Sequence, residues 1–291
     1  MAETVEKLLR EYHGGGISRR EFIQRAVVLT GSLATATSLI DLLLSSEAPA
    51  AQVDPNDPAL TSLDVKFAAP DGAAISGYLS RPKGESRRPA IVVIHEWRGI
   101  NDHVRDVARR LATAGYVALA PDLLSRQGGT SSFPSPDAAT ETLLKVDEQV
   151  ITTDLTATVT YLKGQNFVRA NKIGVIGFCW GGGKALLFTT RSKDIAASVI
   201  YYGENPRNLE DVKNIRASVL GQYGGADERI TSGVPKLEET MKKYGKSFEY
   251  KIYAGAPHAF NNDTSAQSYR EEAAKEAWAK TLDFFKKHLQ S

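Results

Sequence analysis

Long runs of apolar residues alternate with helix-like segments along this chain, and this alternation is the feature that most constrains its fold. Runs of this kind occupy residues 90–94, 172–176, 196–202 and 217–223. A strand without a polar face is covered on both sides, and such strands separated by helices are typical of a mostly parallel sheet. The sequence therefore predicts an α/β protein whose central, mostly parallel sheet is flanked by helices on both faces.

The remaining segments complete that sheet and its helices. Residues 63–67 and 75–79 alternate apolar and polar side chains around a turn at Asp71 and Gly72, which predicts an antiparallel hairpin. Two further strands are expected at residues 116–120 and 248–253, and helices at residues 104–114, about 137–162, 182–190, 234–244 and 265–289.

The composition is that of a soluble globular protein and excludes several classes of chain. Of the 291 residues, 42% are hydrophobic and 24% are charged, which rules out a disordered or fibrous protein. The formal net charge of +2 gives no concentrated basic surface, so no nucleic-acid partner is expected. A single cysteine cannot form an internal disulfide, so Cys179 is either an inert core residue or a reactive thiol.

The first fifty residues have the pattern of a targeting segment. Arg19 and Arg20 precede a weakly apolar run at residues 26–44, and small residues of the A-x-A type follow at residues 48–51. Together these features resemble a twin-arginine export signal, whose arginine pair is recognised by the export machinery. Asp41 and many small polar residues interrupt the apolar run, so no stable membrane span is expected in the mature chain.

This resemblance implies export to the periplasm and cleavage near Ala50. The predicted organisation is an export signal at residues 1–50, a linker containing Pro and Asp at residues 51–62, and one domain at residues 63–291. An amphipathic helix with a chance arginine pair and a signal retained as a membrane anchor are the alternative interpretations.

The single cysteine lies in a strand–turn–helix segment suited to a catalytic nucleophile. Gly177, Phe178, Cys179, Trp180 and Gly181 follow a predicted strand and precede a predicted helix. Glycines two positions before and two after the central residue relieve crowding in the sharp turn that exposes a nucleophile at the carboxyl end of a sheet. The start of the helix also favours the thiolate. We therefore interpret Cys179 as a nucleophile rather than as a buried, inert thiol.

A thiol nucleophile needs a base, and His258 is the best placed of the five histidines. It lies between the last predicted strand and the last helix, which is the position of the histidine in α/β-hydrolase triads. His95 follows a core strand, where it could be a structural residue, and His103 is expected to cap a helix or face solvent. Asp227, which follows another strand, is expected to orient the imidazole, and Glu204 is the competing acid.

These residues resemble the dienelactone hydrolase family, the carboxymethylenebutenolidases of the α/β-hydrolase fold. The elbow at residues 177–182, Asp227 and His258 carry the resemblance, which extends over nearly the whole predicted domain. Residues 95–99 match the family's glutamate segment, and residues 120–127 match its Pro-Asp-Leu-x-x-Arg segment. The resemblance implies hydrolysis of a small ester or lactone without a metal or organic cofactor.

The resemblance also implies a role for each residue of the site. Cys179 would form a thioester acyl-enzyme, and Glu96 would hold the resting thiol until substrate arrives. The backbone N–H groups of Trp97 and Trp180 would bind the oxyanion, and the guanidinium of Arg126 would bind a substrate carboxylate. No cluster in the sequence has the spacing of a metal site.

One departure from the family pattern concerns substrate choice rather than chemistry. Members of the chloroaromatic pathways carry Ser after the histidine and an Arg a few positions later, whereas this chain has Ala259, Asn261, Asn262 and Asp263 there. A second arginine for a substrate carboxylate is therefore missing. Two other functions stay open, a thiol-dependent hydrolase of other esters or peptides and an exported binding protein without turnover.

Overall fold

Eight strands form one sheet, which explains why so many apolar runs occur along the chain. This computed structural model describes residues 52–290, Glu21, Gln24, Arg25 and Val27. Among them, the strands are Leu60–Ala68 (β1), Ala74–Pro82 (β2), Arg88–Ile94 (β3), Val117–Pro121 (β4), Val168–Phe178 (β5), Ile195–Tyr201 (β6), Ser218–Gly224 (β7) and Phe248–Tyr253 (β8). Their order across the sheet is β1-β2-β4-β3-β5-β6-β7-β8.

The sheet is parallel from β4 to β8, and the predicted hairpin of β1 and β2 adds two antiparallel strands at one edge. In the centre, Ile91 pairs with Ala118 of β4 on one side and with Gly174 of β5 on the other. The carboxyl ends of β3, β5, β6, β7 and β8 therefore meet along one edge. In an open α/β sheet this edge is where ligands bind.

Helices cover both faces of the sheet. They are Asp102–Thr113 (α1), Pro136–Leu143 (α2), Glu148–Lys163 (α3), Trp180–Arg191 (α4), Glu228–Thr231 (α5), Val234–Lys243 (α6) and Glu271–Phe285 (α7). One apolar layer joins the sheet to α2, α3, α4 and α6, and a second joins it to α1 and α7. Along β3, Val92 and Ile94 point into the first layer while Ile91 and Val93 point into the second. The predicted fold class is confirmed.

Helix boundaries differ from the sequence prediction at two places. The long helical tract expected at about residues 137–162 is two helices, because the Asp147 side chain accepts a hydrogen bond from Gln149 N–H and starts α3 anew. The last helix begins at Glu271 rather than at residue 265, and a π-helical turn at Lys286–Gln290 follows it.

The N-terminal part of the chain divides from the rest at residue 50. The two compact units are Met1–Ala50 and Ala51–Ser291. The predicted export signal lies outside the described residues except at the four positions given above, which are helical. Within the part of the chain that the structure describes, no helix has the length and apolar character needed to cross a membrane.

Part of the segment predicted as a linker, residues 51–62, is packed on the domain. Strand β1 begins at Leu60. Val53 N–H donates to the Asp106 carboxylate at 2.9 Å, and Arg109 Nε donates to the Val53 carbonyl at 2.9 Å. Arg109 is itself buried and also donates to the Tyr78 hydroxyl at 3.2 Å.

Replacing this buried arginine tests how much the contact stabilises the domain. We expect Arg109→Ala to lower the free energy of unfolding by about 3 kcal/mol, because it leaves the buried Asp106 carboxylate without its cation. Arg105 on the same helix is the matched control, since its ion pair with Asp64 is solvent-exposed and is worth about 1 kcal/mol or less. Equal losses in a urea titration of the two variants would contradict the assignment.

Candidate active site

The backbone at Cys179 sets the geometry of the site. Cys179 joins β5 to α4 with a φ of 55° and a ψ of −120°, a backbone conformation that residues other than glycine rarely adopt. Its N–H donates to the Tyr201 carbonyl at 3.0 Å, and its own carbonyl accepts from Gly182 N–H at 3.0 Å. A Cβ on Gly177 would lie 2.0 Å from the Gly181 carbonyl oxygen, so the flanking glycines allow the close approach of strand and helix.

The thiol is next to the predicted base. Cys179 Sγ lies 3.0 Å from His258 Nε2, and His258 Nδ1 lies 2.5 Å from Asp227 Oδ2. Because Nδ1–H donates to the carboxylate, Nε2 is the nitrogen that can accept the thiol proton. The ring of Tyr202, another residue with positive φ, packs edge-on against the imidazole at 5.0 Å.

Two loops at the carboxyl edge of the sheet place the acid and the base. Asp227 follows β7, and its side chain is 7% exposed. Although Asp227 precedes α5, its side chain forms no capping hydrogen bond to that helix. His258 follows β8, and Ala226 N–H donates to the Ala256 carbonyl at 2.9 Å, which joins the two loops. The competing acid, Glu204, is exposed and pairs with Arg229 instead.

The predicted gating residue is not hydrogen-bonded to the thiol. Glu96 is 8% exposed, and its Oε2 accepts a hydrogen bond from Asn262 Nδ2 at 2.8 Å. Its Oε1 is buried and has no hydrogen-bond partner among the described residues. Glu96 is therefore neither paired with a cation in the described part of the chain nor solvated, and the thiol is hydrogen-bonded to His258 instead.

Burial and charge make Cys179 a weak acid. Desolvation is the largest cause, and the negative charge of Glu96 adds to it, so that the pKa of the thiol rises to about 12. The backbone N–H of Trp180 and the charge of Arg229 act in the opposite direction. The resting thiol is therefore protonated at neutral pH.

A cavity of about 410 Å³ opens in front of the thiol. Trp97 and Trp180, which carry the predicted oxyanion-hole N–H groups, both line it. Trp180 is the first residue of α4, and N–H groups in the first turn of a helix lack intrahelical acceptors. The cavity is also lined by apolar Leu144 and Leu187 and by the cations Lys184, Arg207 and Arg229.

The structure does not support the role expected for Arg126, which lies outside this cavity. Its Nε and Nη2 donate to the buried Asp154 carboxylate at 3.0 and 2.8 Å, and its Nη1 lies 2.8 Å from Asp71 Oδ2. These carboxylates raise the pKa of Arg126 above its ordinary value. The guanidinium holds the β1–β2 turn to α3, so it is not free to bind a substrate carboxylate.

The two other histidines near this edge are structural. His95 is buried, donates from Nδ1 to the Glu96 carbonyl at 2.6 Å and accepts at Nε2 from Leu123 N–H at 3.1 Å. The expectation that His103 caps a helix or faces solvent is wrong, because the ring is buried and lies 2.9 Å from Asp263 Oδ1. No group of three or more metal-binding side chains occurs among the residues that the structure describes.

Two residues that shape the site are not indicated by any sequence pattern. Tyr202 packs on the imidazole although it follows β6 and belongs to no motif. Asn262 was noted only as a departure from the family pattern, and its bond to Glu96 joins positions 166 residues apart.

Comparisons with known proteins agree with this architecture. A family model described as the dienelactone hydrolase family matches residues 75–289. A Methylorubrum extorquens protein named as a carboxymethylenebutenolidase is 34% identical over 277 residues, which cover 91% of this chain and 94% of the relative. A Bradyrhizobium protein named as a 2-oxo-3-(5-oxofuran-2-ylidene)propanoate lactonase is 36% identical over 75% of this chain and 92% of its own.

A solved structure shares the α/β-hydrolase fold of this chain. The crystal structure of a Klebsiella pneumoniae protein named as a dienelactone hydrolase matches with a TM-score of 0.71 and 29% identity, covering 78% of this chain and 100% of that one.

The raised pKa of Cys179 predicts how the thiol reacts with iodoacetamide. Since burial and the Glu96 charge both disfavour the thiolate, we expect the alkylation rate of the folded protein to keep rising above pH 9, the ordinary pKa of a cysteine. The urea-unfolded chain should reach its plateau earlier, and Glu96→Gln should move the curve of the folded protein to lower pH. A plateau below pH 7 would instead show a thiolate–imidazolium pair at rest.

Proposed function

Because this chain belongs to the dienelactone hydrolase family and is a hydrolase of that type, we propose that it cleaves a small ester or lactone through Cys179, His258 and Asp227. The observation that carries the proposal is the line of contacts from sulfur to imidazole to carboxylate, 3.0 and 2.5 Å long, at the wall of a cavity. This is the geometry that a nucleophile, its base and an orienting acid require.

Acylation begins with the thiol proton. His258 Nε2 takes the proton as Cys179 Sγ attacks the carbonyl carbon, and the N–H groups of Trp97 and Trp180 bind the oxyanion. The C–O bond then breaks, and the imidazolium returns the proton to the leaving oxygen. A thioester remains on Cys179.

Deacylation uses the same base. His258 removes a proton from water, and the hydroxyl attacks the thioester carbonyl, so the C–S bond breaks and the carboxylic acid is released. The imidazolium then reprotonates the sulfur. Asp227 holds the imidazole in the tautomer that both steps need and stabilises its charged form.

The substrate side of the proposal follows from the cavity. Aromatic and aliphatic side chains of Trp97, Trp180 and Leu187 offer an apolar wall to an acyl group. A carboxylate on the substrate would meet Arg207 in the cavity rather than Arg126, since Arg229 is paired with Glu204.

Substitution of the sole cysteine tests the proposed chemistry. We expect Cys179→Ala to lower kcat/KM for p-nitrophenyl acetate and for lactones by about a thousandfold or more, since a nucleophile has no substitute in the site. Cys179→Ser should retain little activity. Circular dichroism of each variant serves as the folding control.

Assays of several esters, lactones and peptides with the wild type and Cys179→Ala also separate this function from its alternatives. Wild-type activity of Cys179→Ala would overturn the nucleophile assignment. Activity confined to larger acyl esters or peptides would favour the broader thiol hydrolase, and saturable binding of lactones without turnover would favour a binding protein.

We further propose that residues 1–50 direct export to the periplasm through the twin-arginine machinery and are then removed. The support is the pattern of Arg19, Arg20 and the small residues at 48–51. We expect N-terminal sequencing of protein purified from a bacterial periplasm to begin near residue 51, and replacement of both arginines by lysine to keep the protein inside the cell. Purified periplasmic protein that begins at Met1 would contradict cleavage.

A further inference from the structure

We propose that Asn262 is a positioning residue that holds the Glu96 carboxylate beside the thiol but away from the sulfur. The inference rests on the proposed role of Cys179 as nucleophile. It starts from the bond between Asn262 Nδ2 and Glu96 Oε2, which is 2.8 Å long and buried. This is the one hydrogen bond that the Glu96 side chain forms with the described residues, because Oε1 has no partner.

Thr264 fixes the orientation of the amide. The Asn262 side-chain oxygen accepts from Thr264 N–H at 3.0 Å and from Thr264 Oγ1 at 2.6 Å. Turning the amide over would place its NH2 group against these two donors and its oxygen against the Glu96 carboxylate. Asn262 therefore presents a donor, and only a donor, to Glu96.

The loop that carries Asn262 also carries the base. Asn262 lies four residues after His258, and its own N–H donates to the Ala259 carbonyl at 2.9 Å. The next residue, Asp263, is buried and lies 2.9 Å from His103 Nδ1 of α1. Backbone and neighbouring contacts hold this loop, but a change of the Asn262 side chain also removes its two hydrogen bonds from Thr264, so damage to the loop needs a control of its own.

The hydrogen bond from Asn262 to Glu96 affects the thiol because of the groups that surround Glu96. Burial is the main cause of the raised pKa of the Cys179 thiol and of the Tyr202 hydroxyl, and the negative charge of Glu96 adds to both, so both groups lie within its electrostatic range. A buried carboxylate deprived of its donor is costly and takes the nearest available proton donor. The Cys179 thiol and the Tyr202 hydroxyl, which has no hydrogen-bond partner among the described residues, are such donors. We place the carboxylate on the thiol, and a thiol hydrogen-bonded to Glu96 is turned away from His258.

The test measures alkylation of Cys179 by iodoacetamide at pH 7.5 in the full chain, followed by intact mass. The chain has one cysteine, so the reaction reports on this thiol alone. We expect Asn262→Leu, which has nearly the same volume but no donor, to slow alkylation about tenfold, the effect of one hydrogen bond to a charged group. The hydrolysis rate should fall through kcat with little change in KM.

A second-site variant distinguishes positioning from loop damage. In the Glu96→Gln background, Asn262→Leu should not slow alkylation further, because no carboxylate remains to compete for the thiol. Thr264→Val should react more slowly than Thr264→Ser, which keeps the hydroxyl that orients the amide. A double variant as slow as Asn262→Leu would show that the loop itself is disturbed and would overturn the proposal.

Two other results would also overturn it. An unchanged rate for Asn262→Leu would show that the amide does not control Glu96, and a faster rate would show that Glu96 takes up a proton instead of turning to the sulfur. Alkylation needs no substrate, so these outcomes are independent of the proposed hydrolysis. If Cys179→Ala still hydrolysed esters, the proposed function would fail. The comparison of Asn262 and Glu96 variants would still show whether Asn262 positions Glu96.

Discussion

The left-handed backbone of Cys179 is the constraint on which the rest of the site depends. Holding a residue other than glycine at a φ of 55° costs about 1–3 kcal/mol, and this conformation persists only where the surrounding structure enforces it. Here the enforcement comes from β6, whose Tyr201 carbonyl accepts the Cys179 N–H, and from Gly181, where a Cβ would lie 2.3 Å from the His95 carbonyl oxygen. The sheet and α4 thereby fix the position of the sulfur independently of His258 and Asp227.

A thiol fixed in this way is also buried, and burial works against its chemistry. With the pKa raised to about 12, few molecules carry a thiolate at neutral pH, so reactivity depends on a base within reach of the S–H proton. The loops after β7 and β8 supply the acid and the base together, because Ala226 N–H and the Ala256 carbonyl join them. The spacing of Asp227, His258 and Cys179 is thus a property of adjacent parallel strands.

What the sequence could predict follows from how local each feature is. The apolar run of β3 and the glycines around Cys179 depend only on local structure, so the sequence pattern alone predicts the sheet and the sharp turn at Cys179. A strand end also predicts which edge a residue occupies, which brought Asp227 and His258 to Cys179. It does not predict where a long side chain points, and Arg126 turns to Asp154, 28 residues away. Nor could pattern find the pair of His103 and Asp263, which are 160 residues apart.

The direction in which these long side chains point also determines which residues contact the Glu96 carboxylate. Arg126 holds secondary structure, and the residue that contacts Glu96 is a neutral amide, so no arginine in the described part of the chain pairs with that carboxylate. Burial is the main cause of the raised pKa of the Cys179 thiol, and the negative charge of Glu96 adds to it. Substrate binding therefore need not break an ion pair to free Glu96. In the proposed mechanism the proton leaves the sulfur through His258, and the charge of Glu96 acts on that step from the side.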